Sequence, residues 1–83
     1  MKQYKIDFLQ FNVDQAVMSE CNEITFYNTG TSSVIVNNTI KLFPGQVYTI
    51  KGNEIEIDKT VYNIVFLGGI DKNKICILRK CFI

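Results

Sequence analysis

The sequence predicts one all-β domain over residues 1–83, a small antiparallel β-sandwich or barrel built from hairpins. Three observations support this fold class. Short stretches alternate apolar and polar residues, as half-buried strands do. Turn-forming residues separate these stretches every few positions, which gives about seven or eight short strands. A chain of 83 residues with 47% apolar content has material for one thin hydrophobic core.

The first half of the chain contains two alternating stretches. Residues 4–8 form the first predicted strand, and residues 23–27 form the next. Between them, residues 10–22 break the alternation, and we interpret part of this segment as a single helical turn after Asn12. Residues 28–33 are rich in Asn, Thr, Ser and Gly, so the second strand should end there.

A tight hairpin is predicted in the middle of the chain. Residues 34–36 and 39–42 flank Asn37 and Asn38, and asparagine tolerates the positive φ that a two-residue type I′ turn requires. A Pro-Gly pair at 44–45 predicts the following turn, because proline presets φ and glycine adopts the left-handed conformation.

The second half repeats the pattern of strands and turns. Residues 47–50 and 54–57 flank a Lys-Gly-Asn turn and predict a second hairpin. Two further strands, residues 61–67 and 74–82, are separated by glycines and an Asp-Lys-Asn turn. The alternation predicts a core face made of Ile6, Phe8, Ile24, Phe26, Val34, Val36, Ile40, Leu42, Tyr48, Ile50, Ile55, Ile57, Tyr62, Ile64 and Phe66.

The last two predicted strands are largely apolar on both faces. Such a strand belongs at the centre of a layered fold or at an interface, and this chain has little material for a third layer. One hypothesis is that another subunit or partner covers the second face. The other is that residues 10–20 of the same chain fold over it. The candidate interface residues are Phe11, Val13, Val17, Met18, Val61, Val65, Leu67, Leu78 and Phe82.

The three cysteines do not predict a disulfide framework. Their number is odd and nothing in the sequence indicates secretion. Cys76 and Cys81 lie five positions apart on one predicted strand, about 16 Å apart, which is too far for a disulfide. We therefore expect Cys21, Cys76 and Cys81 to be small buried hydrophobic residues in a reducing compartment.

The residues that support common catalytic and metal chemistry are scarce, so we expect neither an enzyme nor a cofactor. There is no histidine, which excludes Ser-His and Cys-His nucleophile pairs and imidazole ligands. Glu54 and Glu56 would share one strand face about 7 Å apart, but they read as a solvated face beside a turn. Asp71 and Asn73 offer two oxygen ligands, fewer than calcium requires.

Charge and hydropathy narrow the possible partners. Nine basic and eight acidic residues give a net charge of +1, and the basic residues are scattered, so duplex nucleic acid is not an expected partner. No apolar run approaches the roughly 20 residues of a membrane span. Charges interrupt the apolar residues at the start of the sequence, so we expect no signal peptide.

The turn pattern of residues 24–50 resembles small β-sandwich proteins of tailed-phage particles. A strand ending in Asn-x-Gly at 28–30 precedes a short hairpin, and the Pro-Gly turn leads into the next strand; residues 53–55 and 62–66 continue the pattern. The resemblance covers about half the chain. It implies a virion component, assembled in the host cytoplasm, that decorates the capsid or joins the head to fibres or the tail by oligomerising and docking.

Two function hypotheses follow. The preferred one is a non-enzymatic structural protein of the phage virion, a homo-oligomer of three or more copies that docks on a capsid or other virion protein. The alternative is a monomeric binding module for single-stranded nucleic acid or carbohydrate, which would use exposed tyrosines for stacking.

Overall fold

The computed structural model describes residues 2–83, and all regular secondary structure in that range is β, as the sequence predicts. The eight strands are β1 Tyr4–Phe11, β2 Gln15–Met18, β3 Glu23–Asn28, β4 Val34–Val36, β5 Ile40–Leu42, β6 Val47–Ile50, β7 Val61–Phe66 and β8 Ile75–Phe82.

The strands form two four-stranded antiparallel sheets that pack as a sandwich. We call the sheet with order β1-β8-β3-β6 the front sheet and the sheet with order β2-β7-β4-β5 the back sheet. Their inner faces enclose one core, which consists of Val17, Ile24, Phe26, Val34, Val36, Leu42, Tyr62, Ile64, Phe66, Ile75 and Ile77.

Period-2 alternation correctly predicts the core faces of the two central strands. In β3, Ile24 and Phe26 are fully buried, and in β7 Tyr62, Ile64 and Phe66 are buried while the residues between them are more exposed. The Phe26 and Tyr62 rings meet edge to face across the sandwich, with centroids 5.2 Å apart. This contact joins the two sheets at the middle of the core.

The β4–β5 hairpin has the predicted turn chemistry. Asn37 and Asn38 have φ values of 51° and 57°, as a type I′ turn requires, and the amide of Thr39 donates to the carbonyl of Val36 at 3.2 Å. Strand pairing starts again with Ile40 opposite Val36, so Thr39 is one residue more than the predicted two-residue loop. The left-handed Gly45, with φ of 84°, confirms the Pro-Gly turn.

The expected helical turn after Asn12 is wrong, because this segment extends a sheet. Residues 15–18 form β2, which pairs with β7 at the edge of the back sheet. Val17 lies opposite Tyr62 and is only 4% exposed, so it is a core residue. The segment therefore lies beside β7 and does not cover the outer face of that strand.

The predicted strand at 54–57 is also wrong. These residues form a turn whose backbone is held by the Asn22 side chain: its Nδ2 donates to the carbonyls of Asn53 and Glu56 at 3.0 and 2.7 Å. The amide of Ile55 donates to Asn53 Oδ1. Because these side-chain hydrogen bonds satisfy the backbone of the turn, no second strand forms opposite β6, and Ile55 is 84% exposed.

Five of the predicted core residues lie on the surface instead. Ile55 and Ile57 belong to the turn just described, and Tyr48 lies on the edge strand β6, where it is 38% exposed. Ile6 and Phe8 point outward from the front sheet, because the β1–β8 register turns Leu9 and Phe11 toward the core. The other ten predicted core residues are buried or pack against the core.

The expectation of free thiols is wrong for two of the three cysteines. Cys21 and Cys81 form a disulfide with a Cα–Cα distance of 4.8 Å, across a sequence separation of 60. Cys21 also makes an isolated β-bridge with Asp58, and Cys81 lies near the end of β8. The fold brings these distant positions together, which spacing along the chain does not show. Cys76 is a free, half-buried cysteine.

Candidate interaction surface

The outer face of the front sheet carries a group of exposed apolar side chains. Residues directly opposite in neighbouring strands share a face, so Tyr4 lies beside Phe82 and Phe8 beside Leu78. On the next strands, Tyr27 lies beside Val47. We call this surface the front face and define it by Tyr4, Ile6, Phe8, Glu23, Thr25, Tyr27, Val47, Cys76, Leu78, Lys80 and Phe82.

Several large apolar side chains of the front face are exposed to solvent. Phe8 is 65% exposed, Val47 56% and Tyr4 52%. Three adjacent strands of up to eight residues, such as β1, β8 and β3, cover roughly 400 Å² in projection. The largest apolar patch on a typical monomer has about this area and is often functional, and a larger patch marks an interaction site.

One lysine crosses the apolar surface. Lys80 lies with its ammonium 4.4 Å from the centroid of the Tyr4 ring and 5.3 Å from that of Phe82, so it makes two cation–π contacts. Directly opposite Lys80 on β3 is Glu23. Aromatic rings and a pair of opposite charges therefore lie together on the front face. The rings offer apolar area that a partner can bury, and the charges can fix the orientation in which the partner binds.

The predicted interface residues do not form one surface. Because β7 and β8 belong to different sheets, their outer faces point in opposite directions. Of the nine, only Leu78 and Phe82 belong to the front face. The others are on the outer face of the back sheet (Met18, Val61, Val65), in the core or packed against it (Val17, Phe11), and in loops (Val13, Leu67).

Sequence reasoning missed most of the front face. The interface candidates do not include Tyr4, Ile6, Phe8 or Tyr27. For β1 the reason is that the alternation predicts Ile6 and Phe8 on the core face, whereas the β1–β8 register turns them outward. The sequence did carry a signal: Leu9 and Phe11 continue the other face of the same strand, so β1 is apolar on both sides.

Polar groups line a cleft between the two sheets near one end of β1. The Arg79 guanidinium pairs with Asp7 and donates to the carbonyl of Met18 at 2.9 Å. An open pocket of about 430 Å³ lies here, bordered also by Lys5 and Glu20. Its charges are balanced, so the cleft favours neither anions nor cations.

A second polar contact joins β7 to the segment before it. The Tyr62 hydroxyl donates to Asp58 Oδ2 at 2.5 Å, and the amide of Thr60 donates to Oδ1 at 2.8 Å. Burial alone raises the pKa of Asp58, but these hydrogen bonds outweigh it and the pKa lies below its ordinary value. Burial, followed by the hydrogen bond to Asp58, raises the pKa of Tyr62 to about 12.

The Tyr62–Asp58 contact predicts two pH-dependent contributions to stability. The lowered Asp58 pKa stabilises the fold above about pH 4, and this contribution is lost as pH falls through the folded pKa. The raised Tyr62 pKa stabilises the fold below pH 10, and this contribution is lost between pH 10 and about 12. We expect Tyr62→Phe to cost roughly 1 kcal/mol at neutral pH, after allowance for the partial exposure of Asp58.

Urea unfolding of Tyr62→Phe from acid to alkaline pH measures this prediction. The free energy of unfolding should depend less steeply on pH in both the acid and the alkaline range, while the ring contact with Phe26 is retained. The control is Tyr27→Phe, which removes a hydroxyl from the surface. A pH dependence in Tyr62→Phe equal to that of the parent protein would contradict the assignment.

The described residues hold no group of three or more His, Cys, Asp or Glu side chains that would bind a metal ion. Within residues 2–83, no helix is long and apolar enough to span a membrane. Comparison with known proteins found no family model, no curated protein and no solved structure that matches this chain.

Proposed function

We propose that this chain is a non-enzymatic structural protein that works by self-association and docking, and that the front face is the surface it buries. The observation that carries the proposal is the exposure of Phe8, Tyr4 and Val47 together on one sheet face. In a protein with one thin core, large side chains left on such a face represent apolar area that association removes from water.

The charges on the front face favour a second copy as the partner. Lys80 and Glu23 lie on this face in neighbouring strands, so two copies packed about a two-fold axis can place each lysine near the partner's glutamate. The aromatic rings around Lys80 are the residue types that contribute most to interface energies. We propose an assembly of three or more copies, which requires a second contact surface besides the front face.

The setting of this assembly is proposed from the sequence resemblance. The strand ending at Asn28, the hairpin that follows and the Pro-Gly turn resemble the pattern of small virion proteins of tailed phages. On this basis the assembly decorates a capsid or joins the head to fibres or the tail, and the virion is its final location.

Size-exclusion chromatography with light scattering, repeated over a range of concentrations, tests self-association. We expect a mass that is a whole multiple of 9.5 kDa, at three copies or more. Tyr27→Glu places a charge on the front face and should weaken association at least tenfold, because a truncated aromatic contact at an interface typically costs about 2 kcal/mol.

Ile55→Glu is the matched control, since it makes the same kind of change on an exposed turn outside the front face. It should leave the native mass unchanged. A strict monomer at all concentrations would overturn the proposal. An oligomer that dissociates with Val61→Glu and not with Tyr27→Glu would move the interface to the back sheet.

A monomeric ligand-binding module is the second candidate. The specific observation in its favour is the group formed by Tyr4 and Phe82, whose rings meet edge to face, with the Lys80 ammonium close to both; it can stack a base or a sugar ring beside a positive charge. Oligonucleotides and oligosaccharides added to the monomer would quench tyrosine fluorescence, and Tyr4→Ala would abolish the response. No response across both ligand classes would exclude this candidate.

A further inference from the structure

Strand β1 is the longest free sheet edge in the described part of the chain. It has eight residues, whereas the other three edge strands, β2, β5 and β6, have four, three and four. Its pairing with β8 runs without a bulge from Tyr4 to Phe11. The only proline of the sequence is Pro44, so none interrupts this edge. Long, regular edges of this kind are templates for pairing with another strand.

The residues of β1 that face the free edge can be identified. The Ile83 amide donates to the carbonyl of Gln3, so the odd-numbered residues of β1 direct their backbone groups toward β8. On the other side of β8, the Asn22 amide donates to the carbonyl of Lys80. The even-numbered residues of β8 therefore direct their backbone groups toward β3, and its odd-numbered residues direct theirs toward β1. The N–H and C=O groups of Tyr4, Ile6, Phe8 and Gln10 therefore point away from the sheet.

We infer that β1 pairs antiparallel with β1 of a second copy, with Ile6 opposite Ile6 on a two-fold axis. This inference rests on the proposed self-association and names its second contact surface. In this register Tyr4 lies opposite the second copy's Phe8, and both belong to the set with free backbone groups. The free backbone groups of these residues can therefore form hydrogen bonds with the second copy without any change in β1.

Charge selects this register over its neighbours. With Ile6 on the axis, Lys5 lies opposite Asp7 of the second copy, and the same pair occurs twice by symmetry. An axis at Lys5 would place two lysines directly opposite each other, and an axis at Asp7 would place two carboxylates there. Opposite charges in cross-strand pairs stabilise a sheet, and like charges destabilise it.

Edge pairing also provides the area that the front face of one copy lacks. A stable interface typically buries about 800 Å² on each partner, and one front face covers roughly half of that. Pairing through β1 joins two front sheets into one eight-stranded sheet and brings the two front faces side by side. The aromatic pairs of Tyr4 with Phe8 then lie at the middle of a doubled apolar surface.

Engineered cysteines test the register directly, in a background that carries two further changes. Cys76→Ser removes the free thiol, and Tyr27→Glu weakens the front-face contact, so that cross-links report the edge pairing. Ile6→Cys should cross-link two copies under mild oxidation, because residues directly opposite have Cα atoms about 5.5 Å apart. Phe8→Cys is the matched control on the same face and should not cross-link, since its copies would lie about 13 Å apart. An equimolar mixture of Tyr4→Cys and Phe8→Cys should cross-link, although neither variant does so alone.

Ile6→Pro provides an independent measurement. Proline removes an N–H that points away from β8, so the protomer should fold and the native mass should fall. An oligomer in which Phe8→Cys cross-links as efficiently as Ile6→Cys would overturn the edge pairing and leave the proposed function standing. So would an oligomer that neither cross-links through Ile6→Cys nor loses mass with a folded Ile6→Pro. A strict monomer would overturn both proposals.

Discussion

Reduction of the Cys21–Cys81 disulfide is expected to lower the free energy of unfolding by about 4 kcal/mol. The bridge closes a loop with a sequence separation of 60, and the chain-entropy estimate for a loop of this length is about 4 kcal/mol. A domain of this size has a total stability of roughly 4–12 kcal/mol, so the loss is a large fraction of it. The melting temperature should fall by more than about 15 °C.

Thermal unfolding with and without a reductant measures this effect, alongside a variant with both Cys21→Ser and Cys81→Ser. The double variant should melt like the reduced parent protein and should not respond to reductant. Cys76→Ser is the control, because this cysteine is free, and its response to reductant should equal that of the parent. A parent protein whose melting temperature is insensitive to a reductant that demonstrably opens the bridge would contradict the prediction.

The disulfide also bears on the proposed assembly in a host cytoplasm. Thiols are kept reduced in that compartment, and disulfides persist in oxidising surroundings. On the proposed function, the chain is assembled in its less stable, reduced form and gains the bridge after release of the particle. The same melting experiment therefore compares the reduced form, in which the chain would assemble, with the disulfide-bonded form that would follow.

Asn28→Asp is expected to be the most damaging conservative substitution, at roughly 3–5 kcal/mol. Asn28 is fully buried, and its Nδ2 donates to the carbonyls of Ser32 and Leu42 at 2.9 Å each. Its Oδ1 accepts from the amide of Gly30 at 3.0 Å. An aspartate keeps the shape but replaces the donor with an oxygen that faces two carbonyls, and it places a charge in the core.

Asn63→Asp is the matched control for this substitution. Asn63 is exposed on β7, so the same chemical change should alter the free energy of unfolding by less than about 0.5 kcal/mol. Urea unfolding at neutral pH measures both variants. If Asn28→Asp costs no more than Asn63→Asp, the Asn28 side chain does not hold the two turns in the way the structure indicates.

Local signals predicted the strands and turns whose conformations depend on their own residues. Asn37 and Asn38 tolerate positive φ, and Pro44-Gly45 combines a fixed φ with a left-handed residue. These preferences act within a few residues of the chain, so they hold before any tertiary contact forms. The alternation in β3 and β7 likewise predicted the residues that line the core.

Residues 54–57 show where local pattern fails. Their alternation is that of a strand, yet they form a turn, because the Asn22 side chain donates hydrogen bonds to the backbone carbonyls of Asn53 and Glu56. Asn22 is more than 30 positions away in sequence from either of them. Asn28 is a similar case: asparagine is common in turns, and here it is buried at the end of a strand, where it holds the turns around it.

The sequence by itself determined that the chain is all-β, which residues form some of its turns, such as those at 37–38 and 44–45, and which residues form most of its core. Only the tertiary structure decided which side of β1 is covered, that Cys21 meets Cys81, and that the apolar outer faces of β7 and β8 point in opposite directions. The physical reason is that strand periodicity separates two sets of side chains but does not say which set is buried. That choice depends on sheet register and on the packing of distant strands, and both form only when the whole chain folds.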